Sequence, residues 1–257
     1  MPIFALARST FNEAIRRRIL MVLLFFALAM IGASFAFSSF ITTEAKLVRD
    51  MGLSAIQLFG VVISIVMAIV MIPAEIDRRV IHTILSKPVS RRIYVLGKFL
   101  GGLYTIGFNT IIMGAVFLLA IYFKIHKMDW SILQSLWLFF LEFALLMAIA
   151  IFLSILVSPL VNAFICIGII ILGNLSSYVQ YLKTFQAGNP AMVAVTKSVL
   201  QWIYNLVPNF QNFDIGQKIS EGQSISPHYI LTMTIWTLLY IAFLMLMTLQ
   251  CFSTKEV

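Results

Sequence analysis

The chain has 257 residues, of which 61% are hydrophobic and only 11% carry charged side chains. A soluble domain of this size needs a largely polar surface, so this composition excludes one and places most of the chain in lipid. A nucleic-acid partner would require a basic face on a folded soluble domain. The basic residues behind the net charge of +8 have no such domain, which excludes this class of partner.

Six apolar segments are long enough to cross a bilayer, for which a helix needs roughly 20 mainly apolar residues. None alternates apolar and polar residues with period two, which argues against a membrane barrel. The sequence therefore predicts an all-α, polytopic membrane protein with a single transmembrane domain over residues 1–257. The predicted spans are about 19–40, 53–74, 99–123, 132–157, 163–179 and 230–252.

Lys and Arg residues set the predicted orientation, because loops that stay in the cytoplasm carry an excess of them. With six crossings, the N-terminus, the loop 75–98 and the C-terminus share one side, which holds 11 of the 18 basic residues. We expect this side to be the cytoplasmic face of the inner or plasma membrane. A signal peptide cleaved after Ala36 is the alternative, disfavoured by the long lead-in before the first apolar run.

Two segments outside the spans repeat apolar side chains at helical spacing. Residues 3–18 predict an amphipathic helix in the cytoplasmic interface, or a simple topology anchor. The outer loop 180–229 has a similar stripe that ends at Pro208, and its Trp202 suits the interfacial aromatic belt. This stripe predicts an amphipathic or re-entrant helix, with a plain loop helix as the alternative.

Polar residues inside the spans are candidate functional groups. Glu142 lies near the middle of the fourth span, where a charged side chain costs on the order of 2.5–3.5 kcal/mol. Asn109 and Asn174 fall at similar depth in the third and fifth spans, so we hypothesise a midplane cluster of the three side chains. The alternative is an interhelical hydrogen bond from Glu142 that only holds the helices together.

No motif in the sequence supports catalysis or metal binding. The three histidines lie in separate loops without ligand spacing, and the 13 methionines fit helix packing better than a copper site. The stretch Gly97–Phe99 lacks the upstream glycine and the following Ser or Thr of a phosphate-binding loop. We therefore expect no cofactor and no metal in this chain, and any ATP must be bound by another chain.

The loop 75–98 is the longest polar interruption in the first half of the chain. Its first part has one apolar helical stripe, beside which Glu75 can pair with Arg78 and Arg79. Pro88 then turns the chain, because proline disfavours helix at the residue before it. The pattern predicts a helix, a proline turn and a second helix under the membrane.

Arg91 and Arg92 occupy the first turn of the second predicted helix, which Ser90 can cap. Cations at this position are disfavoured by about 0.3–1 kcal/mol each, so the pair needs a compensating partner. The candidates are lipid phosphates, an acidic protein surface and the acids of the loop itself. Topology and lipid contact alone are the simpler interpretation.

A family resemblance is carried by the same loop. Its sequence, EIDRRVIHTILSKPVSRRIYVLGK, resembles the cytoplasmic loop of ABC type-2 permeases, the transmembrane subunits of ATP-driven exporters. The stretches ARSTFNEAIRRRILMVLLFFALAM, SPLVNAF and LVPNFQNFDI are similar to further parts of these permeases. The resemblance therefore covers nearly the whole chain.

The resemblance implies the type-2 ABC exporter fold, with six spans, an elbow helix over 3–18 and a cytoplasmic coupling helix within 75–98. It implies a dimer of permeases, which we expect to be a homodimer, and two copies of a cytoplasmic ATPase that bind ATP and Mg. The second and fifth spans would line the path at the dimer interface. The implied ATPase-coupling residues are Glu75, Arg78, Arg79, Ser86, Lys87, Pro88, Arg91 and Arg92.

The function that the resemblance implies is that of the permease subunit of an ABC exporter, which is not itself an enzyme. One alternative is a proton-coupled secondary transporter that uses Glu142. Another is a membrane component that serves maturation of an extracytoplasmic metalloenzyme, since the chain is similar to the permease of nitrous-oxide-reductase maturation transporters. The few charges within the spans favour an apolar or amphipathic substrate over a small ion.

Overall fold

The computed structural model describes residues 2–38, 44–71, 91–125, 130–174, 208–216 and 225–254. Within these ranges the chain forms seven α-helices and no strand, with a short 3₁₀ helix over Phe210–Asn212. The helices are α1 (Pro2–Arg16), α2 (Arg18–Ser38), α3 (Glu44–Met71), α4 (Arg91–Ile125), α5 (Trp130–Leu156), α6 (Pro159–Asn174) and α7 (Pro227–Thr254).

Five of the described helices, α2, α3, α4, α5 and α7, are long and apolar enough to cross a membrane. They confirm the predicted all-α, polytopic membrane class. The sixth apolar helix, α6, has 16 residues and coincides with the start of the predicted fifth span. The end of that span, 175–179, lies outside the described residues, as does the helix predicted before Pro208, so both stay predictions.

Three helices begin before the apolar segments from which the spans were predicted. α3 starts at Glu44, α4 at Arg91 and α6 at Pro159. A membrane edge does not end a helix, because the backbone hydrogen bonds continue into polar sequence. Proline suits the first position of α6, since its missing N–H would have no partner there.

The helix α5 lies at the centre of the fold and is the most deeply buried of the five candidate spans. It contacts α3, α4, α6 and α7. The outer helices α2 and α7 expose large apolar side chains, such as Phe25 and Leu239. Their outward faces therefore suit lipid, while α5 forms the core against which the other helices pack.

The contact between α3 and α5 depends on Gly60. A Cβ atom added to Gly60 would lie 2.0 Å from Cζ of Phe143. That ring is fully buried and stacks on Phe139 with 6.3 Å between the ring centres. Small residues let helix backbones approach closely in lipid, and here glycine allows α3 to lie on the aromatic face of α5.

The helix α1 packs along the start of α4 at two glycines of α4. A Cβ atom added to Gly97 would lie 2.7 Å from Cδ2 of Leu6. At Gly101 it would lie 2.7 Å from the backbone oxygen of Ala7. The spacing Gly97-x-x-x-Gly101 therefore forms the groove in which α1 lies, a contact within one chain.

A buried lysine strengthens this contact. Lys98 is 3% exposed, and its Nζ lies 3.9 Å from Oε2 of Glu13 on α1 and 5.8 Å from the centre of the Tyr94 ring. Glu13 also pairs with Arg17 at 2.5 Å, at the break between α1 and α2. Because a buried charge is costly unless it is paired, α1 supplies a group that Lys98 requires.

We predict that Gly60→Ala destabilises the protein by about 1–3 kcal/mol, because the added methyl group overlaps a buried ring. Gly168→Ala on α6 is the matched control, since its added Cβ has no atom within 4 Å and alanine favours helix. Thermal unfolding of the purified protein in detergent measures both. Equal midpoints for the two variants would contradict the packing described for Gly60.

We also predict that Gly101→Ala loosens α1 without loosening the core. The added Cβ meets a backbone oxygen of α1, which cannot rotate away as a side chain can. Amide hydrogen exchange over 2–16 should become faster, while exchange in α5 stays unchanged. Gly32→Ala, whose added Cβ has open space around it, should leave both helices as they are.

Candidate functional site

A cleft of about 760 Å³ lies between α3 and α6, and Glu142 of α5 forms part of its floor. Along most of its length the walls are apolar, with Val62 and Val66 on α3 facing Ile167 and Ile170 on α6. Apolar side chains along one edge of the cleft are exposed in the single chain. Leu58 exposes 59% of its area, so the cleft is open on one side.

One end of the cleft is polar. The segment 208–216 packs at this end, between α3 and the end of α6. Its Gly216 lies against Leu53 of α3, and its Phe210 lies against Gly173 of α6. The other end is apolar. The polar residues that line the cleft are Ser54, Gln57, Glu142, Asn174, Gln211 and Asp214.

Glu142 and Gln57 form the central polar contact of the cleft. Nε2 of Gln57 lies 3.2 Å from one carboxylate oxygen of Glu142 and 3.4 Å from the other. Glu142 is fully buried, and a buried polar group is costly unless it has a hydrogen-bond partner. Gln57 stands one helical turn before Gly60, so the close approach at that glycine brings the amide within reach of the carboxylate.

The segment 208–216 is anchored by aromatic packing. Phe210 and Phe213 are fully buried, and their ring centres lie 6.3 Å apart. The side chain of Asn209 accepts a hydrogen bond from the backbone N–H of Gln211 at 3.1 Å. This local structure holds Gln211 and Asp214 at the polar end of the cleft, where Oδ1 of Asp214 accepts from a backbone N–H at 3.1 Å.

The opposite end of α6 is tied to α5 by Asn162. Its Nδ2 donates a hydrogen bond to the backbone oxygen of Ala150 at 2.8 Å, and its Oδ1 accepts from the thiol of Cys166 at 3.3 Å. Asn162 is fully buried. It therefore determines how α6 leaves the turn after α5 and, with it, the position of one wall of the cleft.

Of the three polar residues predicted to meet at the midplane, Glu142 and Asn174 line the cleft, and Asn109 bonds within its own helix. Asn174 lines the same cleft as Glu142, and its Nδ2 donates to the backbone oxygen of Ile170 at 3.1 Å. Asn109 does not line the cleft; its Nδ2 donates to the backbone oxygen of Thr105 on its own helix at 2.8 Å. The side-chain partner that the structure assigns to Glu142 is Gln57.

The predicted ATPase-coupling residues lie mostly outside the part of the chain that the structure describes. Arg91 and Arg92 are the first two residues of α4, and Arg92 is exposed. They precede the groove in which α1 lies. Those outside the described ranges are Glu75, Arg78, Arg79, Ser86, Lys87 and Pro88.

Within the described ranges, no group of three or more His, Cys, Asp or Glu side chains comes together as a metal site. Cys166 and Cys251 are not joined in a disulfide. The polar chemistry of the described chain is therefore concentrated in the cleft and in the contact between α1 and α4.

The polar residues of the cleft and its supports that were not predicted from the sequence are Ser54, Gln57, Asn162, Gln211 and Asp214. Gln57 is an uncharged polar residue within an apolar run, which is a weak signal for function. Asn162 lies within SPLVNAF and Asp214 within LVPNFQNFDI. Both stretches had been singled out by resemblance, and a search of them for polar side chains would have found both residues.

Comparison with known families gives a match over nearly the whole chain. The sequence profile described as ABC-2 family transporter protein matches residues 4–257. It thus covers the cleft and the described helices, apart from the first two residues of α1. Among curated proteins, none matches the chain closely enough to count as a relative.

A double-mutant cycle tests the contact between Gln57 and Glu142. We expect Gln57→Leu alone to cost about 1–3 kcal/mol, because it leaves a buried carboxyl group without its amide donor. Adding Glu142→Leu should recover most of this loss, since two apolar side chains leave no polar group unpaired. The free energy of unfolding in detergent is the measurement, and simple additivity of the two changes would contradict the contact.

Proposed function

The chain belongs to the ABC-2 family of transporter proteins and is a membrane permease of an ABC transporter, and we propose that it works as an exporter. Members of this family are membrane transport components that are not catalytic themselves and normally act with a cytoplasmic ATPase subunit. In our proposal two such ATPases drive a homodimer of this chain. It lies in the inner or plasma membrane, with both termini in the cytoplasm and six spans per copy.

The cleft between α3 and α6 is the observation that carries this proposal. These helices correspond to the second and fifth predicted spans, which the family resemblance implies for the path at the dimer interface. The cleft is open on one side in the single chain, so a second copy can face it and complete an enclosed path. A mostly apolar wall with a polar end suits an amphipathic substrate.

Energy enters, in this proposal, through the loop 75–98. That loop follows α3, which forms a wall of the cleft. Its last residues, 91–98, form the start of α4, against which α1 packs. ATP binding to the ATPases acts only through its preference for one of two states of the dimer. We propose that α1 is the elbow helix and lies in the cytoplasmic interface, where it moves together with the start of α4.

A proton-coupled carrier is the second candidate, and the complete burial of Glu142 within a span favours it. Purified chain in vesicles, without any ATPase, distinguishes the two. We expect no uptake of a fluorescent amphiphile under a proton gradient. Uptake that disappears in Glu142→Gln would establish the second candidate. A role in metalloenzyme maturation stays a prediction from the resemblance to nitrous-oxide-reductase maturation permeases.

We predict that Glu75→Arg leaves membrane insertion intact but separates ATP hydrolysis from transport. The reversal removes the predicted pairing of Glu75 with Arg78 and Arg79 in the coupling loop. Vesicles that contain the chain and its ATPase allow ATP hydrolysis and extrusion of a fluorescent amphiphile to be measured together. Lys46→Glu is the control, an exposed charge reversal at the opposite end of α3, and it should keep the two rates coupled.

A further inference from the structure

Two side-chain amides of the cleft, those of Gln57 and Asn174, turn their donor groups towards the protein. Nε2 of Gln57 faces the carboxylate of Glu142, and Nδ2 of Asn174 faces the backbone oxygen of Ile170. An amide carries its N–H groups on one side and its oxygen on the other. The amide oxygens of Gln57 and Asn174 are therefore directed away from these acceptors.

The ionisable side chains that line the cleft are both acidic. Among the described residues that line it, the two with ionisable side chains are Glu142 and Asp214, and neither Lys nor Arg is present. Oxygen acceptors and carboxyl groups thus collect at one end of an otherwise apolar cleft. In a region of low dielectric, such a set favours a cation that donates hydrogen bonds and disfavours an anion.

The apolar part of the cleft is long enough for an extended hydrocarbon tail. From Gln57 to Ile69 the α3 wall runs for about 18 Å, at about 1.5 Å per helical residue. Beyond Gln57, the side chains that line this wall, such as Val62 and Val66, are all aliphatic. A tail that lies against them leaves water for an apolar surface, which is favourable.

We propose that this cleft binds an amphipathic cation, with an ammonium head group at Gln57, Glu142 and Asp214 and an aliphatic tail along α3 and α6. The inference rests on the proposed function, because it names the substrate class of the exporter. It deepens that function by assigning the polar end to the head group and the apolar walls to the tail.

Equilibrium binding to the full chain in zwitterionic lipid nanodiscs tests this assignment without any ATPase. The probes are dodecylammonium, dodecyl sulfate with the same tail, and ethylammonium with the same head group. Binding is taken as the excess over nanodiscs that contain no protein. We expect saturable binding of dodecylammonium and at least about tenfold weaker binding of the other two.

Neutral variants of nearly the same shape locate the head group. Glu142→Gln and Asp214→Asn should each weaken dodecylammonium binding by about tenfold. The control Asp50→Asn on α3 removes an acid that does not line the cleft and should leave binding unchanged. Asp214 is exposed at the rim, so its variant decides the question even where Glu142→Gln fails to fold.

Three results would overturn the inference. Dodecyl sulfate could bind as tightly as dodecylammonium, or both acid variants could bind dodecylammonium as the unchanged chain does. The third result is that dodecylammonium shows no saturable binding. The proposed function fails by a different result. If the chain binds dodecylammonium in this way but its ATPase drives no extrusion, the site stands and the exporter mechanism is wrong.

Discussion

The close approach of α3 to α5 at Gly60 is the constraint on which the cleft depends. Because Gly60 has no side chain, α3 lies directly on the ring of Phe143, and Gln57 comes within 3.2 Å of Glu142. A larger residue at position 60 would move the helices apart and leave a buried carboxyl group without its donor. The same contact therefore determines both the packing of α3 on α5 and the hydrogen bonding of Glu142.

The glycine contacts at Gly60 and at Gly97 and Gly101 serve different parts of the proposed transporter. Gly60 joins the cleft wall to the central helix, whereas Gly97 and Gly101 join α1 to the start of α4. The loop 75–98 follows the first of these units in the sequence and ends within the second, since it contains Gly97. A force on that loop would therefore reach the cleft through α3 and the helix α1 through α4, as the proposed coupling requires.

Hydropathy was sufficient to predict the long helices, because an apolar run of that length has few alternatives to a membrane-spanning helix. It did not predict where α3 begins, since Glu44 is a polar residue that continues the backbone hydrogen bonds. The start of α4 at Arg91 agrees with the helix predicted after the proline turn and the Ser90 cap. Hydropathy also identified Glu142, because a charge at that depth is unusual. The partner of Glu142 depends on which face of α3 is turned towards α5, and the sequence does not specify that orientation directly.

Asn109 and Asn174 illustrate the same limit. Both were expected beside Glu142 because they fall at similar depth in their spans, yet depth does not specify the face of a helix. Asn174 lines the cleft, whereas Asn109 bonds within α4. A glycine one turn from a polar residue, as Gly60 is from Gln57, is a better indicator, because it marks the side on which another helix comes close.

The floor and the walls of the cleft differ in how freely they can move. Glu142 belongs to α5, which other helices surround, whereas α6 exposes large apolar residues such as Phe164 and is tied to α5 by Asn162 near its first turn. In the proposed cycle the walls can separate while the floor stays in place. Separation would expose the tail of an amphipathic substrate to water but keep its head group at the carboxylate. Affinity would then fall mainly through the lost apolar contact, which gives the two states of the dimer the difference in affinity that transport requires.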